Sequence, residues 1–419
     1  MTARLEVSGP TLSLALSLLL AGCVGLGTVH PDSPLGRARG MLAMSQFDEA
    51  REAFGALVRE APEDPRAQLG LGAAYEGLGH LDSARVIYEA LEGQRLPRSV
   101  RGQLDGRVRL LHRRELHEAA RRAIAEEVRL TNLAPEPNTI GVMPFRYEGS
   151  DTALRPLERA LAHFVITDLS RVSAVRVLER QAVQVLLDEL RLVQSGRVDP
   201  ATGARSGRLL RAEHVLQGDL LSLAGVEDLK LSARAVRTAT VEIAGEASAQ
   251  DELRQLFDME KAVVLGLLGE MRVAITEAER ELIMERPTAS IQALLEFGRG
   301  LEAEDAGNLV AARRAFRRAR SEDPGFRAAA EEEQAAENMM EADQTTLPGV
   351  AELLDVLLPA DLPFLADNLN EVMGNAMSQG DQAETPSGET PPGGRDGVGE
   401  VGGQDQFPLI RVFIRIRRP

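Results

Sequence analysis

The chain has 419 residues, enough for two to four domains, and its 44% hydrophobic content allows ordinary cores. Net charge is -16, pI is near 5.0, Trp is absent and aromatics are 3%, so nucleic acid is an unexpected partner: phosphate contacts need clustered cations and base stacking needs rings. One cysteine, Cys23, excludes an internal disulfide framework and a four-thiolate metal centre, and the six histidines form no His-x-x-x-His pair. No metal and no other cofactor is expected.

Residues 11–20 form an apolar run of signal-peptide length, too short to span a bilayer. Leu20-Ala21-Gly22-Cys23 follows and resembles a bacterial lipobox, in which Cys23 becomes the acylated first residue of the mature chain. On that resemblance residues 1–22 are a lipoprotein signal peptide and residues 23–33 an anchor linker. Val24 rather than Asp after the cysteine implies, by resemblance to enterobacterial sorting, the outer membrane and its periplasmic face. An ordinary signal peptide with an incidental cysteine is the plainer alternative.

Residues 34–130 read as a helical adaptor. Ala50 and Phe54 recur as Ala84 and Tyr88 at an offset of 34 residues, with Gly72, Tyr75 and Gly79 ahead of the second pair. This resembles the tetratricopeptide repeat, a helix-turn-helix in which small residues let paired helices approach and aromatics fill the gap. Two repeats rarely bury a full core, so residues 98–130, rich in Arg, Glu and Leu, are expected to supply further helices. A protein-docking groove and a packing spacer are both consistent with this pattern.

After the Pro135-Glu136-Pro137 linker, residues 137–285 read as a layered α/β domain. Strands are expected over 140–145, 174–178, 214–220 and 229–236, the last alternating Leu229, Leu231, Ala233 and Ala235 with polar residues. Residues 240–244 are expected to continue the sheet. Helices are expected over 154–172, with Leu157, Leu161, Val165 and Leu169 on one stripe, and over 180–192. Asp199-Pro200 caps a third to about residue 211. A long helix is expected over 251–285, broken at Gly266 or Gly269.

The Met143-Pro144-Phe145 strand end, Val177-Leu178-Glu179-Arg180, Gln194-Ser195-Gly196, Val198 to Thr202 and Ala212 to Gly218 together resemble the CsgG family of curli-type outer-membrane lipoproteins. That resemblance implies a periplasmic α/β domain able to oligomerise. Secretion-channel members insert long membrane hairpins, which need over ~20 residues. The loops at 145–154 and 222–228 are too short for them, so channel function is not carried over.

No catalytic residue is expected. Gly203 and Gly207 lack the Gly-Lys-Ser/Thr of a phosphate loop, and no Gly-x-Ser-x-Gly turn is present. His163, beside Phe164, reads as structural, Asp199 as a cap, and Arg180 and Asp219 as solvated domain-edge residues.

Residues 287–345 repeat the small-small-aromatic-Pro spacing through Gly300, Ala312, Phe316 and Pro324. This third unit is expected either to pack in a neighbouring subunit or to stand alone. Residues 346–377 read as short helices able to dock on a repeat unit, 378–406 as a disordered Gly/Pro/acidic linker, and 407–419 as a terminal strand. That strand either adds to another sheet edge or, as its covalent tether favours, folds back on the central sheet.

The fold class is therefore α+β, multidomain: tetratricopeptide-like repeats flanking a layered CsgG-like α/β domain. The function expected is a lipid-anchored scaffold for assembly or secretion of a cell-surface structure, acting through protein contacts and not as an enzyme. Alternatives are an oligomeric export-channel subunit and a regulator of a cell-wall synthase. Expected partners are the membrane through the lipid, a protein through the repeats, and further copies of the chain.

Overall fold

The computed structural model describes residues 29–190, 200–223 and 227–357. Cys23, Gln194 to Asp199 and the segment expected as linker and terminal strand lie outside the described residues. The described residues divide into two compact units, 29–104 together with 345–357, and 105–344.

In the first unit four helices alternate, α1 (Pro34–Ala43), α2 (Phe47–Glu60), α3 (Pro65–Gly77) and α4 (Leu81–Glu92), followed by the first residues of α5 (Arg98–Ala125). Asp64 starts α3: its carboxylate accepts the Arg66 N–H, and Pro65 fills a first-turn position that has no amide partner anyway. The turns α1–α2 and α3–α4 are alike. Ser45 and Gly79 take left-handed φ of 58° and 78°, and the next N–H reaches back five residues, from Gln46 to Met41 and from His80 to Tyr75. That is a Schellman ending, which turns the chain sharply enough to pair consecutive helices.

The second unit holds one six-stranded mixed sheet. Its strands are β1 (Glu136–Val142), β2 (Arg146–Glu148), β3 (Arg176–Val177), β4 (Ala212–Ser222), β5 (Leu229–Arg237) and β6 (Ile243–Asp251), in the order β3-β1-β4-β5-β6. β1 runs parallel to β3 and β4, and β2 continues alongside the far half of β4; β4, β5 and β6 form an antiparallel meander. The helices of the α/β part are α6 (Glu127–Thr131), α7 (Leu157–Leu169), α8 (Arg180–Glu189), α9 (Pro200–Leu209), α10 (Leu256–Glu270) and α11 (Glu277–Ile283). The expected stripe Leu157, Leu161, Val165 and Leu169 is buried, as are Leu229, Leu231, Ala233 and Ala235.

Several boundaries differ from expectation. The first strand runs over 136–142, not 140–145, because Pro144 has no N–H to donate; pairing resumes as β2. Residues 238–240 are a turn, Val241 after it takes φ 62°, and the strand expected over 240–244 occupies 243–251. The single long helix is two. After α10, Arg272 at φ 56° and the Val273 N–H on the Leu268 carbonyl form another Schellman ending. Thr276 and Glu279 then make a capping box that starts α11.

The third repeat-like unit neither stands alone nor waits for a neighbouring subunit. Its helices α12 (Ile291–Asp305), α13 (Leu309–Glu322) and α14 (Arg327–Gln344) share one core with the sheet domain. Phe164 of α7 stands 6.2 Å from Phe297 and 6.1 Å from Phe326, ring centre to ring centre, in the range where aromatic pairs attract. The helical stretch expected as one body to residue 130 is also divided, since α5 belongs to the second unit from Asp105 onward. There Leu116, Ala119, Ala120 and Ala123 pack into a core with Leu178, Val183, Leu186 and Val215. No helix of the described residues is long and apolar enough to cross a membrane.

Candidate functional site: the repeat face and the ionic joint

One spacing recurs three times: a small residue on the first helix, then a second small residue one turn before an aromatic on the second helix. The sets are Ala38, Ala50 and Phe54; Gly72, Ala84 and Tyr88; and Gly300, Ala312 and Phe316, all buried, and in the last two the first small residue faces the aromatic. A methyl group on Gly72 would stand 2.5 Å from the Tyr88 ring, and one on Gly300 2.3 Å from Phe316. Phe54 instead reaches across to the next repeat, where a methyl on Gly70 would stand 2.3 Å from its ring. Tyr75 is half-buried and meets His80 edge-on at 6.0 Å, while the Tyr88 hydroxyl donates to Glu76 at 3.1 Å. Ala38 and Gly70 were not singled out in the sequence; the 34-residue offset applied to Gly72 finds Ala38.

In the first unit α1 packs on α3, the two first helices of successive repeats, so these line the inner, tighter side of the stack. A further helix, α15 (Leu347–Leu353), lies against both. Thr346 caps it by accepting the Gly349 N–H, and Val350, Ala351, Leu354 and Leu357 are buried. Arg39 of α1 holds its C-terminal end: Nε donates to the Ala351 carbonyl at 2.9 Å and Nη2 to Asp355 Oδ2 at 2.6 Å. Asp355 Oδ1 also accepts the Val29 N–H at 3.2 Å. The segment expected to form short helices able to dock on a repeat unit thus lies on the repeats over its described part.

The second unit contains an ionic joint where α12 ends. Arg180, expected as a solvated edge residue, is largely withdrawn from solvent: Nη1 donates to Asp305 Oδ1 at 2.6 Å and Nη2 to Glu304 Oε2 at 2.8 Å. Arg159 of α7 donates to Asp305 Oδ2 at 2.9 Å. Arg113 of α5 donates to the Glu304 and Asp305 carbonyls, both at 2.9 Å. Three elements therefore grip one helix terminus, Arg113 at its last carbonyls and Arg180 and Arg159 at its carboxylates. Burial, then Glu332, pushes the Glu304 carboxyl up to about 7. Glu179, next to Arg180, is 2.7 Å from His112 Nε2. Asp219 pairs with Arg146 at 2.9 Å near the surface, and His163 meets Phe297 edge-on at 5.0 Å.

Deeper in the core, Lys261 is ion-paired with Asp168 and lies 3.0 Å from Glu260 Oε2. Burial, then the Asp168 charge, pushes Glu260 up to about 8. A proton held by Glu260 leaves one carboxylate for one ammonium, which removes the cost of a second buried charge. The described residues bring no three His, Cys, Asp or Glu side chains together as a metal site.

Two family models match the chain. The one described as curli production assembly/transport component CsgG matches residues 122–224, from the end of α5 through the loop after β4. A tetratricopeptide repeat model matches residues 41–97, covering α2, α3 and α4. No curated protein matches. Among solved structures, the LpoB C-terminal domain from Salmonella enterica is 13% identical, with 33% of this chain and 98% of that chain covered at a TM-score of 0.22.

Proposed function

We propose that this protein is a lipid-anchored scaffold at the periplasmic face of the outer membrane, serving the assembly or secretion of a cell-surface structure by binding proteins rather than by chemistry. The observation that carries the reading is the pairing of a repeat stack, with a helix-sized inner face, and a domain matching the curli assembly/transport model. Repeat stacks present such faces to protein segments. The sole cysteine at the lipobox position supplies the anchor, and self-association follows the oligomeric habit of the family.

Membrane fractionation tests the anchor. Wild type is expected with the outer membrane and Cys23→Ser in the soluble fraction; a variant that stays in the membrane would overturn the lipid anchor. Photo-crosslinking amino acids at the exposed apolar positions Met44 and Val86 test the scaffold role. Adducts with a second envelope protein are expected, and their absence from both positions in correctly sorted protein would count against it.

A further inference from the structure

The inner face of the first two repeats is already filled by part of the same chain, and the way it is filled specifies a ligand. Val350 and the C-cap Leu354, one turn apart, are buried, and so is Leu357 in the turn that follows the helix. Asp355 then meets a cation, Arg39, that also takes a carbonyl of the bound helix. A fork of this kind reads two things at once, where a helix ends and whether a carboxylate follows. The opposite side of the segment, at Glu352 and Val356, is exposed.

Two features mark the contact as exchangeable rather than as one more helix of the stack. α15 has 7 residues, too few to be helical in water without a surface to lie on. Only Thr345 and Thr346 separate it from the end of α14, so its occupancy comes from a short tether as well as from its contacts. A tethered segment at an effective concentration of roughly 1 mM excludes a free competitor of similar affinity until that competitor is abundant or held nearby.

We propose that the α1–α3 face is a recognition groove for a short helix end of another protein, with apolar residues at i and i+4 and, in the turn that follows, a carboxylate at i+5 and an apolar residue at i+7, and that residues 347–357 are its built-in competitor. This rests on the repeats being partner-binding and adds what they bind and how access is restrained.

The probe is a fluorescein-labelled, end-capped peptide of residues 345–357, titrated against the full chain by anisotropy. Opening the groove with Val350→Asp and Leu354→Asp is expected to strengthen peptide binding at least about tenfold over wild type, because the tethered competitor is lost. Replacing Asp355 by Ala in the peptide is expected to weaken binding to the opened chain about tenfold, through loss of a charge-assisted hydrogen bond. Circular dichroism checks that the repeats stay folded. Should the double variant unfold them, the full chain carrying only Asp355→Ala loosens the competitor more gently and is expected to gain several-fold in peptide affinity.

No binding to a folded, opened chain would overturn the proposal while leaving any Met44 or Val86 adducts, and so the scaffold reading, intact. Binding that requires Asp355, in a protein that yields no adducts, would uphold the groove and sink the scaffold reading. A wild-type mass of two chains that drops to one in the opened variant would make a second copy's segment the occupant and overturn the proposal.

Discussion

At the residue scale, small side chains and buried charges carry the informative constraints. Gly72 and Gly300 are glycines because a ring occupies the space of a Cβ, at 2.5 Å and 2.3 Å. Gly72→Val and Gly300→Val are each expected to destabilise by about 1–3 kcal/mol through overpacking, read as a fall in C_m at constant m in urea. Lys261→Met is expected to cost about 3–5 kcal/mol, since it leaves the buried Asp168 carboxylate without its principal cation. Glu304 gives a pH signature. Its proton binds at about 7 in the folded chain and at the ordinary 4.5 when unfolded, so the folded state holds the extra proton between those values. The stability it contributes is full below about 4.5 and is lost as pH rises toward 7, by up to about 1.4 kcal/mol per pH unit. Glu304→Gln removes that proton, and its plot of stability against pH is expected to be flatter than wild type across this window. Parallel plots would show that Glu304 does not titrate there.

At the element scale, helix ends decide the architecture. The same Schellman ending closes α1, α3 and α12, with Ser45, Gly79 and Gly307 at φ 58°, 78° and 75°. α12 thus ends in the same turn as α1 and α3, although α10 ends that way too. Cations then fasten helix C-termini to their neighbours, Arg39 on α15 and Arg113 on α12. Arg180→Ala is expected to destabilise the joint by about 3–5 kcal/mol, because Glu304 and Asp305 lose their principal cation in a buried setting. Arg180→Lys should recover only part of this, since a compact ammonium does not reproduce the two divergent donors of the planar guanidinium; calorimetric unfolding of the two variants separates the cases. Little of the joint was legible beforehand. The Glu179-Arg180 pair stood out within a family-like motif, but its partners lie on other elements, and Glu304 is 124 residues away from Arg180. No local spacing encodes such a pairing.

At the scale of the whole molecule, the chain closes two units from segments distant in sequence. The first unit recruits residues 345–357, whose Val350, Ala351, Leu354 and Leu357 are buried. A chain ending at Gln344 is expected to lose repeat stability, because four apolar side chains no longer leave water and the face they cover on α1 and α3 is exposed, while the second unit keeps its described packing. Hydrogen exchange resolved by segment would show faster exchange in residues 34–92 and unchanged exchange in 136–340; equal protection throughout would mean that the segment adds nothing to the fold of the repeats.

By itself the sequence determined what is periodic or chemically local. The 34-residue recurrence, the stripe from Leu157 to Leu169 and the alternation from Leu229 to Ala235 were all readable, because helices and strands impose short repeats. Tertiary structure alone decided that α12 to α14 join the sheet domain's core, that α5 is divided between the units at Leu104, that Arg180 is ion-paired and largely withdrawn from solvent, and that the repeat face is occupied. Those outcomes depend on which apolar faces and which charges find each other across long stretches of chain. Hydrophobic burial is non-directional, so a pattern that shows which face must be covered does not name what covers it.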